Sequence, residues 1–124
     1  MDELVERLSV KVGIDKNIAE KTVGIILNFL RTEGPADKVQ VLIDKIPGAE
    51  AAVAANSGNG LGGMLGGFLG GGLMALGGKL MGLGLGMGEI QGVARELLNF
   101  GRDRVGADKI DEIIAGTPGL SQFA

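Results

Sequence analysis

Apolar and polar residues recur along most of this chain with a helical period. Residues 2–12 set Leu4, Val5, Leu8 and Val12 three or four positions apart, with Glu3, Glu6, Arg7 and Lys11 between them, which predicts an amphipathic helix. Gly13 permits a turn, and Asp15 offers an N-cap for the next helix. Residues 16–32 then carry a longer stripe of Ile18, Thr22, Ile25, Ile26, Phe29 and Leu30. Gly34-Pro35 stops that helix, and Pro35 suits the first turn of the next, because its missing N–H would be unsatisfied there in any case. Over 36–46, Val39, Leu42, Ile43 and Ile46 share one face, and Pro47-Gly48 closes the segment.

The same pattern returns 71 positions later. Leu27-Asn28-Phe29 falls on Leu98-Asn99-Phe100, Arg31 on Arg102, Ala36-Asp37-Lys38 on Ala107-Asp108-Lys109, Ile43 on Ile114 and Pro47-Gly48 on Pro118-Gly119, giving 10 identities in 22 ungapped positions. Val39 and Leu42 meet Ile110 and Ile113, and Val12-Gly13-Ile14 meets Leu83-Gly84-Leu85. A match this dense points to an internal duplication. The expected organisation is one helical repeat over 1–48, a Gly-rich apolar linker or zipper over 49–71, and a second repeat over 72–124. The fold class is all-α: two tandem three-helix repeats in pseudo-twofold arrangement, joined by the Gly-rich segment.

That segment changes the picture most. Ser57 to Gly88 holds 15 of the 24 glycines, and Gly72 to Gly82 occupies the place of the second repeat's first helix. Leu61, Met64, Leu65, Phe68 and Leu69 would share one helical face, continued by Leu73, Leu76, Leu80 and Leu83. Gly62, Gly66 and Gly70 would form a GxxxGxxxG row that lets a second helix approach closely. The cost is large. Ten glycines lie between Gly60 and Gly78, and at roughly 0.8–1 kcal/mol each they oppose an isolated helix by on the order of 10 kcal/mol. Three readings stay open for 56–71. It is a linker, although linkers usually carry Ser rather than Leu, Met and Phe; a packed Gly-zipper helix; or a membrane-seeking stretch, since Asn56 to Gly78 has 23 residues without a charge.

Composition narrows the chemistry. The 124 residues carry a net charge of −3 with no Cys, His, Trp or Tyr, and their aromatics are Phe29, Phe68, Phe100 and Phe123. Disulfides, thiolate sites and imidazole chemistry are therefore excluded. Basic and acidic residues balance, 7 against 8 over 1–48 and 5 against 6 over 72–124, so phosphate-backbone binding lacks electrostatic support and no nucleic-acid partner is expected. MDELVERLSVK is acidic and amphipathic, unlike a signal peptide, and points to the cytoplasm, with membrane association as the alternative.

Motifs add little. Gly58-Asn59-Gly60-Leu61-Gly62-Gly63 fits G-x-G-x-x-G, but no strand precedes it and no ribose-binding acid comes after it. Gly78-Lys79 resembles the end of a phosphate loop, but Leu80 stands where Ser or Thr is required. The hydroxyls of Ser9, Ser57, Ser121, Thr22, Thr32 and Thr117 have no His to activate them. Asn28/Asn99, Arg31/Arg102 and Asp37/Asp108 recur about the same turn. Two symmetric binding sites would explain this, but the better explanation is structural: Arg and Asp pair across the corner while Asn satisfies the helix end.

In Ile46-Pro47-Gly48-Ala49 and the run from Gly71 to Leu85, the chain resembles the bacterial uncharacterised VcgC/VcgE-like family, a domain of unknown function, and more loosely the YidB-like proteins. The resemblance implies a small all-helical bacterial protein without established activity, and it carries over no functional residue. No catalytic, cofactor-binding or metal-binding residue is assigned, and no enzyme activity or cofactor is expected. The leading expectation is a non-enzymatic self-associating scaffold or protein-interaction module that forms homo-oligomers. Leu61, Gly62, Met64, Leu65, Gly66, Phe68, Leu69 and Gly70 are its contact residues. The alternative is a membrane- or lipid-associated accessory protein that binds an apolar ligand; beyond a second copy of the chain, the partners expected are another protein or a membrane lipid.

Overall fold

The computed structural model describes residues 2–56 and 72–117. Among these the chain is all-helical, without strands: α1 (Asp2–Val12), α2 (Lys16–Glu33), α3 (Ala36–Lys45), α4 (Ala49–Asn56), α5 (Gly72–Gly82), α6 (Met87–Val105) and α7 (Ala107–Gly116). The helices that patterning predicts over 2–12, 16–32 and 36–46 appear within a residue of those bounds. Their ends obey local chemistry. Asp15 occupies the N-cap of α2 in extended geometry but makes no side-chain cap bond. Pro35 lies one residue outside α3, and its carbonyl accepts the N–H groups of Lys38 and Val39 at 3.0 Å each. Glu89 turns back so that its Oε1 accepts the Gly86 N–H at 2.9 Å, fixing the start of α6.

α2 and α6 touch each other at the centre. α1 lies on α6 and α5 lies on α2, so each long helix is covered by a short helix from the distant part of the chain. α3 packs on α2, α6 and α7. The core draws on all seven helices: Leu4 and Leu8 of α1, Leu27 and Leu30 of α2, Leu42 and Ile43 of α3, Val53 of α4, Leu80 of α5, Leu97 of α6, and Ile110 and Ile113 of α7 are buried. Each such Leu or Ile contributes about 1.5–3 kcal/mol relative to an exposed position.

Two features depart from what patterning predicts. The first is α4, where Ala49, Ala52 and Val53 are buried; α4 makes its principal contact along α2 and a smaller one with α3. Small side chains let its backbone come close, and they also leave it without an amphipathic stripe that would announce it. The second is a register change. An ungapped offset of 71 sets Lys79 on Leu8, yet Lys79 is exposed and Leu80 is fully buried. Leu76 and Leu80 of α5 are buried, four apart as Leu4 and Leu8 are in α1, so the two helices correspond at an offset of 72. Ile14 and Leu85, buried just beyond the next turns, correspond at 71. The stretch from the second buried Leu to the next buried apolar residue is therefore one residue shorter after α5 (Leu80 to Leu85) than after α1 (Leu8 to Ile14), although the turn between the helices is one residue longer, 83–86 against 13–15.

Candidate functional site

The contact residues expected from sequence, Leu61, Gly62, Met64, Leu65, Gly66, Phe68, Leu69 and Gly70, lie outside the described residues. Within the described residues three places carry distinctive chemistry: the α6–α7 corner, the α1–α6 seam and a set of exposed apolar side chains.

At the corner, Arg102 donates from Nη1 to Asn99 Oδ1 at 3.1 Å, and its Nη2 lies 3.7 Å from Asp111 Oδ1. The recurring Asn and Arg thus do meet. The carboxylate that Arg102 reaches is Asp111, one turn further along α7 than the expected Asp108, which sits in the first turn of that helix. Asn99 accepts from the guanidinium rather than satisfying backbone. A cleft of about 490 Å³ opens beside this corner, lined by Val105, Gly106, Ala107, Asp108, Lys109 and Glu112. Glu112 is already paired with Lys38 of α3. The hydrogen bond from Lys38, then its positive charge, holds the Glu112 carboxyl below its ordinary range. The corner is a solvated structural network, with Arg102 held by Asn99 and Asp111 and Glu112 held by Lys38.

Along the seam, Arg104 Nη2 reaches Glu3 Oε2 at 2.7 Å, and Arg7 Nε reaches Glu96 Oε2 at 3.3 Å. The Arg104 guanidinium also stands over the Phe100 ring, 4.7 Å from its centroid. Glu3 pairs with residue 104 and Arg7 with residue 96, so α1 runs antiparallel to α6. Further along, Val12 packs against Gly92, where a Cβ would lie 3.3 Å from Val12 Cγ2. Sequence patterning assigns none of these seam contacts, because charges on an amphipathic helix read as solvated until the neighbouring helix is placed.

The exposed apolar groups are Val10 (78% exposed), Met81 (53%) and Met87 (58%). Val10 and Met81 are 71 positions apart, each near the C-terminal end of a short covering helix. The sequence carries a signal for them: both are large and apolar, yet neither belongs to the buried set of its helix. Among the described residues no group of three or more acidic side chains is placed to hold a metal ion, and no helix is long and apolar enough to cross a membrane. Compared with protein-family models, curated proteins and solved structures, the chain matches none.

Proposed function

We propose that the protein is a non-enzymatic, self-associating scaffold built from two tandem three-helix repeats in pseudo-twofold arrangement. The repeats are 1–48 and 72–124, with the Gly-rich segment 49–71 between them. The observation that carries this reading is the pair Val10 and Met81. One molecule presents two large apolar side chains near the C-terminal ends of its two short covering helices, one in each half, and two such contact points make a bivalent particle able to link copies of itself.

Support for the repeat comes from burial. The residues of α6 that are buried (Ile90, Val93, Ala94, Leu97, Leu98, Phe100 and Gly101) each lie 71 positions after a buried residue of α2. Ile110, Ile113 and Ile114 of α7 stand in the same relation to Val39, Leu42 and Ile43 of α3. The capping residues Ile46 and Thr117 share a backbone conformation, φ −110° with ψ 103° and φ −110° with ψ 115°. Gly13 (φ 82°) and Gly84 (φ 91°) make matching left-handed turns. The likeness to the VcgC/VcgE-like and YidB-like proteins extends on this reading to the all-helical plan alone.

Sedimentation velocity tests the proposal. The wild-type chain should form oligomers at tens of micromolar, and Val10→Glu with Met81→Glu should return it to monomer without lowering its melting temperature. A wild type that stays monomeric across that range would remove the scaffold reading. Association with phospholipid vesicles that the same double variant abolishes would favour the lipid-associated alternative, since Met side chains adapt readily to apolar surfaces.

A further inference from the structure

Three of the four ion pairs among the described residues join the first half, 2–56, to the second, 72–117. They are Glu3–Arg104, Arg7–Glu96 and Lys38–Glu112; the fourth, Arg102–Asp111, lies within the second half. Helix packing also crosses that division. α1 of the first half covers α6 of the second, and α5 of the second covers α2 of the first. A Cβ on Gly116, at the end of α7, would come within 2.8 Å of the Pro35 ring, so the end of the second half closes on a turn of the first. Each half therefore supplies the helix that completes the other's core. Halves of about 50 residues rarely bury enough apolar surface to stand alone.

All these contacts are non-covalent, and the first half of any chain presents the same surface to the second half of any other. We infer that two copies of this protein form a reciprocal exchange dimer, the first half of each chain seated on the second half of its partner. The exchanged particle repeats every contact of the closed chain twice, including both covering helices and all three inter-half ion pairs. Its partner is thus a second copy of this chain, recognised by the α1–α6 and α5–α2 surfaces rather than by new ones. What opposes it is the effective concentration of one half for the other within a single chain, in the mM range for short connections. Exchange therefore rises with local concentration, which self-association supplies. The proposal rests on the scaffold reading in that respect alone.

Charge reversal on the seam gives a decisive test with full-length chains. One variant carries E3R and R7E, the other E96R and R104E. In either closed chain both seam pairs become like-charged. In the exchanged heterodimer one seam carries both pairs reversed and attractive, and the other carries both native pairs. The two variants are unfolded together in denaturant, refolded as an equimolar mixture at low salt, where surface pairs are least screened, and separated by size with light scattering. A 1:1 heterodimer is expected in about tenfold or greater excess over either homodimer, given the modest energy of each surface pair. Its melting temperature should be close to that of the wild type and above that of either variant alone. A variant that folds poorly alone leaves this readout intact, since the mixture restores its partner. Two species that stay separate, each with its own lowered melting temperature, would overturn the exchange. If wild-type association sensitive to Val10→Glu and Met81→Glu persists in that case, exchange alone falls. If the heterodimer forms and the wild type forms dimers that Val10→Glu with Met81→Glu leaves intact, the scaffold reading falls and exchange stands; a wild type that stays monomeric at tens of micromolar overturns both.

Discussion

Leu30 of α2 and Gly101 of α6 lie 71 positions apart, both buried, and do opposite things. Leu30 fills space with its own side chain. Gly101 gives space away: a Cβ there would stand 2.7 Å from Ile110 Cδ1 and 3.1 Å from Leu42 Cδ1, so side chains of α7 and α3 occupy the volume it leaves. The turns after these two helices differ in the same sense. Pro35, with φ −74°, precedes α3, whereas Gly106, with φ 98° and ψ 150°, precedes α7 in a region open almost exclusively to glycine. The two halves thus bury corresponding positions while solving packing and turn geometry by different means. Burial pattern and side-chain identity are separate levels of specification, and only the first is shared.

Exchanging the unlike residues breaks the comparison most sharply. Gly106→Pro demands a negative φ and removes the N–H that donates to Arg102 O at 3.0 Å; it should destabilise the protein by about 3 kcal/mol or more in urea unfolding. The reciprocal Pro35→Gly should cost only about 1 kcal/mol, mainly by freeing the unfolded chain. Equal effects from the two would show that the turns are interchangeable after all.

Next come the core positions. Leu30→Ala should cost about 3 kcal/mol through the cavity it opens. Gly101→Leu should cost about 2 kcal/mol by forcing Ile110 and Leu42 aside. Thermal unfolding of the two variants measures both, and a stabilising Gly101→Leu would mean that the α3–α6–α7 junction holds free volume.

The smallest effect is electrostatic. Because Lys38 lowers the Glu112 pKa in the folded state, the unfolded state binds more protons as pH falls. The contribution is complete above the unfolded value of 4.5 and is lost as pH drops through the lowered folded value. Glu112→Gln should therefore shift the urea midpoint slightly at neutral pH and not at all once Glu112 is protonated in the wild type. Both side chains are largely exposed, so added salt should shrink the difference as well.

How much of the fold is legible in the sequence depends on which physical signal each element carries. α2 and α3 are readable because Ile, Leu and Phe recur on one face and Gly34-Pro35 and Pro47-Gly48 punctuate the ends. α4 is not, since a helix that packs through Ala49, Ala52 and Val53 shows no contrast between its faces. The one-residue difference after α5 is hidden because Leu and Gly fill that stretch so densely that offsets of 71 and 72 both align apolar residues. Patterning assigns Arg102 to the right corner and the wrong acid: Asp108 and Asp111 lie one turn apart, and sequence spacing cannot choose between them. The contact residues placed at 61–70 lie outside the described residues, and the exposed pair Val10 and Met81 emerges only when burial is set beside the repeat.

The antiparallel seating of α1 on α6 also sets the order in which the molecule can be made. Glu3 and its partner Arg104 are separated by 101 residues. At a synthesis rate of roughly 5–20 residues per second, α1 waits on the order of 5–20 s for the helix that covers it. In that interval α1 has α2 but not α6 to pack against, and contacts of such long range are slow to close even when both helices are present. Nascent chains growing side by side on one message offer α1 no earlier α6 surface than that of its own chain, except the finished second half of a chain ahead of it. Co-translational assembly is thus a moment at which neighbouring copies compete with the chain itself.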